Sequence, residues 1–270
     1  MNAGIDVKQI QRFGAFYILT ARLRSISKWR AIIAAVDIGN PLFYLISVGI
    51  GIGVLVQKNS GTAGTGGIKY IAFIAPALLA SSAITGTMDE CVFPTIEGFK
   101  WRKLFFAQNS TPITGRQIAL GVYLAALSRA LFSVTVYYIL LLLFNVVDFG
   151  PSALLIPIAV TGGGAFGAVM MFFAARIEKE DYFFNIIGRL VIMPMFLFSG
   201  TFFPLKLMPI YMQPIGWISP LWHATELGRS AAFDYGVSPL LVAIHIIFLS
   251  TLIIVGLSLT LRQFERRLAK

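Results

Sequence analysis

Hydrophobic positions in this chain gather into long runs, and polar residues are confined to the gaps between them. A bilayer core of about 30 Å is crossed by about 20 apolar residues rising 1.5 Å each. Six runs meet that length: Ala31–Val56, Tyr70–Met88, Ile118–Val147, Ser152–Ala175, Phe183–Phe203 and Ser238–Leu261. The third is overlong and holds Arg129, which puts its span in the later part and the arginine near one surface. The fifth carries Arg189 near its start and runs straight into "FLFSGTFFPLKLMPIYMQPIGWISPLWHATE", Phe196 to Glu226. That stretch is too apolar for a solvent loop. It is also too broken for one helix, because Pro204, Pro209, Pro214 and Pro220 interrupt it and an interior proline costs ~3 kcal/mol.

Two weaker periodic patterns lie outside the runs. Val7, Ile10, Phe13 and Tyr17 recur at three- and four-residue intervals with Lys8, Gln11 and Arg12 between them, as in an amphipathic helix lying in an interface plane or capping a soluble face. Between the second and third runs, Ile96, Phe99, Leu104 and Phe105 mix with Glu97, Lys100, Arg102 and Lys103, which predicts a short helix stopped by Thr111 and Pro112. Its apolar face either meets a partner or sinks into headgroups.

Composition agrees with the runs. The 270 residues are 57% hydrophobic and 13% charged, with mean hydropathy +0.80, whereas a soluble domain carries roughly 25% charged residues. The net charge of +10 does not indicate nucleic acid, since the basic residues fall between apolar runs rather than on one soluble face. Sixteen of the 22 Lys and Arg flank the runs on the side of the termini and four lie opposite, which predicts both termini in the cytoplasm. The first run begins at Ala31 and is long enough to span, so it reads as a retained helix rather than a leader. The expectation is one transmembrane domain over residues 1–270: an interfacial helix to residue 30, a six-span region over 31–261 and a tail over 262–270.

Catalytic chemistry finds little support. Ser199 and His245 could evoke an intramembrane protease, but the flanking small-residue patterns are absent. The lone Cys91 offers no intramolecular disulfide, and His223 lacks further metal ligands nearby. No phosphate-binding G-x-x-x-x-G-K-[ST] loop occurs, and "TGGGAFG" (Thr161–Gly167) lies in a span without lysine. Asp37, Asp89, Glu90, Arg129 and Arg189 are costly in lipid unless paired, so Asp37 or Glu90 is expected to pair with Arg129 or Arg189.

Four segments in order, "NPLFYLISVGIGIGVLV", "YIAFIAPALLASSAITGTMDECVFPT", "TPITGRQIALG" and "MPMFLFSGTFFPLKLMPIYMQPIGWISPLWHATELGR", resemble the ABC type-2 exporter permeases. The resemblance is to the nodulation-factor (lipo-oligosaccharide) branch, with daunorubicin-resistance permeases nearby, and covers nearly the whole chain. It implies an all-α integral membrane subunit of a bacterial plasma (inner) membrane, with six transmembrane helices. Such a subunit pairs with a second permease, identical or not, and with two copies of a separate ATPase that bind ATP and Mg; the chain itself needs no cofactor. The resemblance also implies an N-terminal connecting helix over Ile5–Ser25 and a cytoplasmic coupling helix over Thr95–Ala107. Glu97, Phe99, Lys100, Trp101, Arg102 and Leu104 would meet the ATPase there. The proline-broken stretch maps to a re-entrant outer hairpin. Phe202, Phe203, Pro204, Pro209, Pro214, Trp217, Trp222 and His223 would form an outer gate, and irregular backbone is tolerated at that depth when protein satisfies it. The implied cargo is an amphipathic lipid-linked saccharide or glycolipid, or else a hydrophobic drug. A lone membrane transferase or protease and a secondary transporter are the competing classes.

Overall fold

A computed structural model describes residues 7–53, 55, 58, 65, 67–177, 186–233 and 236–269, and the regular elements among them are all helical. Helices are what a lipid-buried chain favours, because every backbone group is then satisfied within its own segment. In order they are α1 (Val7–Ser27), α2 (Arg30–Tyr44, prolonged by the π-helical Leu45–Ile52), α3 (Tyr70–Ile96, prolonged by π-helical Glu97–Trp101) and α4 (Leu104–Asn109). Then come α5 (Gly115–Leu143), a 3-10 turn (Pro151–Leu154), α6 (Leu155–Arg176), the short apolar α7 (Gly188–Phe198), α8 (Gln213–Trp217), α9 (Pro220–Phe233) and α10 (Pro239–Leu268).

Five helical stretches are long and apolar enough to cross a membrane: Arg30–Val48, Tyr70–Trp101, Gly115–Leu143, Pro151–Arg176 and Pro239–Leu268. The run expected over Phe183–Phe203 is described only as α7, which ends in the turn at Ser199 and Gly200. Residues 183–185 lie outside the described residues, as do Ile5, Lys179, Lys270 and most of the glycine-rich segment Gln57–Lys69.

α3 and α6 form the centre of the bundle. A Cβ on Gly163 would stand 2.7 Å from the Ala83 carbonyl oxygen, so these helices meet backbone to backbone. Thr87 Oγ1 donates to the Gly163 carbonyl at 2.7 Å across that contact. Small residues and hydroxyls are the usual fasteners where lipid removes the hydrophobic drive between helices. Tyr123 Oη fixes α5 to the Gly164 carbonyl at 3.0 Å, and Thr260 Oγ1 fixes α10 to the Ala168 carbonyl at 3.1 Å. α5 begins with a capping box between Thr114 and Gln117, and α10 with a Ser238 cap followed by Pro239. α1 lies along α5, its Ile18 against Gly121, while Val7, Phe13 and Tyr17 stay exposed. The ends of α1, α3 and α10 meet at one end of the bundle; residues 199–233 close the other.

Candidate functional site

One face of α3 carries a polar stripe. Ser81, Ser82, Thr85, Gly86 and Asp89 recur at intervals of one, three and four residues, so they share one side of the helix. They line a cavity of about 300 Å³, closed by Asp37, Asn40 and Tyr44 of α2, Arg129, Ser133 and Tyr137 of α5 and Phe196 of α7. Arg129 meets Asp37 with both terminal nitrogens, Nη1 to Oδ2 at 2.7 Å and Nη2 to Oδ1 at 3.0 Å. The Ser133 hydroxyl donates to Asp37 Oδ2 at 3.1 Å and takes a further contact from Arg129 Nη1. The pair is nearly closed off, 13% exposed at Arg129 and 8% at Asp37. A bidentate guanidinium–carboxylate fork is the arrangement that best offsets the cost of two charges in a low dielectric. Asp89 lines the same cavity and has no ion-pair or hydrogen-bond partner among the described residues. The Tyr137 hydroxyl is likewise buried without a partner there.

Of the charge pairings the sequence left open, Asp37–Arg129 forms and the others do not among the described residues. Glu90 does not reach Arg129 or Arg189; it meets Arg22 of α1 at 3.4 Å, because α3 runs past Met88 and carries Glu90 beside the N-terminal helix. Arg189, exposed on α7, makes no ion pair among the described residues.

The segment after α3 also departs from its expected form. α3 continues without a break into Glu97–Trp101, and the chain turns at Lys103, whose φ of 51° is left-handed, before α4 begins. The single short helix is therefore two pieces. Their apolar residues divide accordingly. Phe99 and Phe105 are buried against Phe264 of α10, at ring-centroid distances of 4.8 and 5.4 Å, and the Arg267 guanidinium covers Phe99 at 4.3 Å. Phe99 is thus held inside the fold. Trp101 and Leu104 are exposed beside Arg102 and Lys103. Arg102 pairs with Glu97 at 2.8 Å, and Arg22 approaches Glu97 at 3.8 Å.

The proline-broken stretch folds into a compact cap at the opposite end. Gly200, at φ 69°, lets the chain reverse after α7, a conformation glycine adopts without penalty. Arg229 of α9 is fully buried beneath that turn. Its Nη2 donates to the Gly200 and Thr201 carbonyls at 2.8 and 3.3 Å, Nε to the Phe73 carbonyl at 3.0 Å and Nη1 to Glu226 at 2.7 Å, with the guanidinium 3.6 Å over the Phe73 ring. His223 Nε2 donates to the Trp217 carbonyl at 2.9 Å, so its Nδ1 is left to accept from His245 Nδ1 at 2.8 Å when both rings are neutral. Ser199 Oγ donates to Ser219 Oγ at 2.6 Å, so Ser199 and His245 each have another partner and form no nucleophile–base pair. Phe202 packs edge-on against Phe196 at 5.3 Å, while Phe203, Pro209, Pro214 and Trp217 are exposed; Pro204 is buried and Trp222 half-buried against His245.

No motif in the sequence singles out Arg229, Ser133 or Arg22, and of the polar stripe of α3 only Asp89 stands out there. The Glu226–Arg229 spacing and the Ser81–Asp89 periodicity were the available signals. No cluster of three or more metal-ligating side chains occurs among the described residues.

Comparison with known proteins gives one consistent answer. Nodulation protein J of Neorhizobium galegae is 26% identical over 250 residues, covering 92% of both chains. Nodulation protein J of Rhizobium leguminosarum bv. viciae is 27% identical over 250 residues, with 92% of this chain and 93% of that one covered, and its counterpart in Rhizobium meliloti (strain 1021) is 28% identical over 249 residues and 91% of each. The model of the ABC-2 type transporter family matches residues 15–233, from the middle of α1 to the end of α9. The chain is a multi-helix membrane transport subunit, and it belongs to the ABC-2 type transporter family.

Proposed function

We propose that this chain is the permease half of an ATP-driven exporter that moves an amphipathic substrate, a lipo-oligosaccharide or related glycolipid, out across a bacterial plasma membrane. The observation that carries the reading is the polar cavity between α2, α3, α5 and α7. Ionisable side chains within spanning helices are costly, face the bundle interior and mark pathways for polar groups where they line a cavity. Similarity along nine-tenths of the chain to proteins named Nodulation protein J supports a lipid-linked saccharide as the cargo.

In this reading the segment completed by α7 is a sixth span, both termini are cytoplasmic, and the cap over residues 199–233 is a re-entrant outer gate, with Phe203 and Trp217 at its surface. Glu97, Lys100, Trp101, Arg102 and Leu104 seat on one of two separate ATPase subunits, which bind ATP and Mg, while a second permease completes the pathway. Co-purification from native membranes tests the pairing: an ATPase that co-elutes with the wild-type chain should be lost when Trp101 and Leu104 are both replaced by aspartate. Retention of the ATPase by that variant would remove the assignment.

A further inference from the structure

We infer that a second cavity, between α1, α3 and α4, is the site of a resident membrane phospholipid with an ammonium headgroup, of the phosphatidylethanolamine class and separate from any cargo. The inference goes beyond the exporter reading and stands without it.

The cavity, of about 590 Å³, lies at the elbow where α1 ends at Ser27 and the first long apolar helix begins at Arg30. The end of a helix that crosses a bilayer lies at headgroup level, where a lipid can set its phosphate and ammonium among side chains and leave its tails in the hydrocarbon. Ile18, Ile26, Ile33 and Phe105 form the apolar part of the wall. Arg22, Glu90, Glu97, Arg102 and Gln108 form the polar part. Two guanidinium groups against two carboxylates leave no net charge, so the wall matches a zwitterion better than an anion or a bare cation.

The ion pairs in that wall are unequal. Arg102 holds Glu97 at 2.8 Å, whereas Arg22 stands 3.4 Å from Glu90 and 3.8 Å from Glu97, beyond the reach of about 2.7–2.9 Å that a full charge-assisted bond has. Arg22 Nε and Gln108 Oε1 are buried and have no hydrogen-bond partner among the described residues, one a donor and the other an acceptor. Buried polar atoms left unpaired are costly. Arg22 gives up only two long contacts by turning to a phosphate, and Nε then gains an acceptor. Glu97 stays with Arg102. Glu90 is left needing a cation, and an ammonium on the same headgroup supplies it, with a further N–H for the Gln108 amide oxygen. Phosphatidylglycerol would bring the phosphate without the cation and set an anion beside Glu90. Phosphatidylcholine has no N–H to donate, and Trp29 alone is not the aromatic cage that holds a quaternary ammonium.

Photocrosslinking of the full chain in phosphatidylcholine nanodiscs tests this. Phosphatidylethanolamine with a photoreactive acyl chain is added in trace, and labelled peptides covering residues 18–33 and 104–108 are quantified against those of α10, whose apolar face is exposed. The site peptides should be labelled above the α10 level even in the phosphatidylcholine matrix. Unlabelled phosphatidylethanolamine should suppress that label at about a tenth or less of the phosphatidylglycerol needed, the scale of one hydrogen bond to a charged group. Glycerophosphoethanolamine, the same headgroup without tails, should leave it unchanged. Glu90→Gln should bring the two lipids to within about threefold of each other, and Arg22→Gln should lower site labelling altogether. Site labelling no higher than that of α10 would overturn the inference, as would phosphatidylglycerol competing equally or an unchanged preference in Glu90→Gln. Suppression by glycerophosphoethanolamine as strong as by the whole lipid would overturn its lipid half in favour of a soluble ligand. Should Glu90→Gln not fold, the order of competitors on the wild-type chain decides. Binding is read without ATP or an ATPase, so its failure leaves the exporter reading standing.

Discussion

Arg129 is nearly enclosed on α5, 13% exposed, and its tolerance there depends on Asp37. Removing one partner of such a pair strands the other, at about 3–5 kcal/mol, while replacing both by apolar residues of similar size is near neutral. Arg129→Met should therefore destabilise the folded chain by about 3–5 kcal/mol, and Asp37→Leu combined with Arg129→Met should recover most of that loss. Reversible unfolding in mixed micelles measures both; a double variant as unstable as the single one would show that the pair adds nothing to stability as a unit. This pair was one of the combinations the sequence left open, because opposite charges inside apolar runs have few other ways to be satisfied. The partner of Glu90 was not. Arg22 reaches it through the placement of α1 beside α3, a tertiary contact between residues 68 positions apart that no local pattern encodes.

Among the elements, the five helices long and apolar enough to cross a membrane were legible, each beginning within about a turn of its run, since about twenty apolar residues leave little choice. The run over Phe183–Phe203, by contrast, is described only as α7. The continuations of α3 and α10 past those runs were not legible. Nothing in "IEGFKWRKLFF" announces the left-handed Lys103, and burial of Phe99 and Phe105 under Phe264 depends on α10 arriving from the far end of the chain. The consequence is a division of labour within one segment: Phe99 and Phe105 hold it to the bundle, and Trp101, Arg102 and Leu104 are left on the outside. Trp101→Ala with Arg102→Ala should abolish ATP-dependent transport while membrane-inserted protein stays within about twofold of wild type, since surface substitutions change stability by about 0.5 kcal/mol or less. Transport that persists in the double variant would remove the coupling role. At the other end, the cap hangs on Arg229, which the sequence presented as one more basic residue. Lysine cannot reproduce its planar fork. Arg229→Lys should cost about 1.5–3 kcal/mol for each charged hydrogen bond to Gly200, Thr201 or Phe73 that it fails to remake. Increased protease cleavage between Thr201 and Pro220, with the spanning helices intact, is the expected signature; a cleavage pattern identical to wild type would place the tie elsewhere.

At the scale of the whole molecule, the helices divide into a centre built on α3 and α6 and a periphery of α2, α7 and α10 that leaves broad apolar faces exposed. Such faces suit lipid and a second permease. From the charge asymmetry we propose that both chain ends, rich in Lys and Arg, lie in the cytoplasm. In a Cys91→Ala background, Lys69→Cys should react with an impermeant thiol reagent added to intact cells and Ala269→Cys should not; labelling of residue 269 from outside would reverse the orientation. The central claim is that this chain, with a separate ATPase, moves a saccharide-bearing lipid out of the cytoplasmic leaflet. Proteoliposomes containing the co-purified complex, loaded with a fluorescent dodecyl glucosaminide and supplied with ATP and Mg on the ATPase side, measure it most directly. The account predicts one-way movement of the amphiphile that requires ATP, stops when the Trp101→Ala, Arg102→Ala chain is substituted, and is absent from vesicles holding the ATPase alone. Movement at the same rate without ATP, or with the ATPase alone, would contradict it.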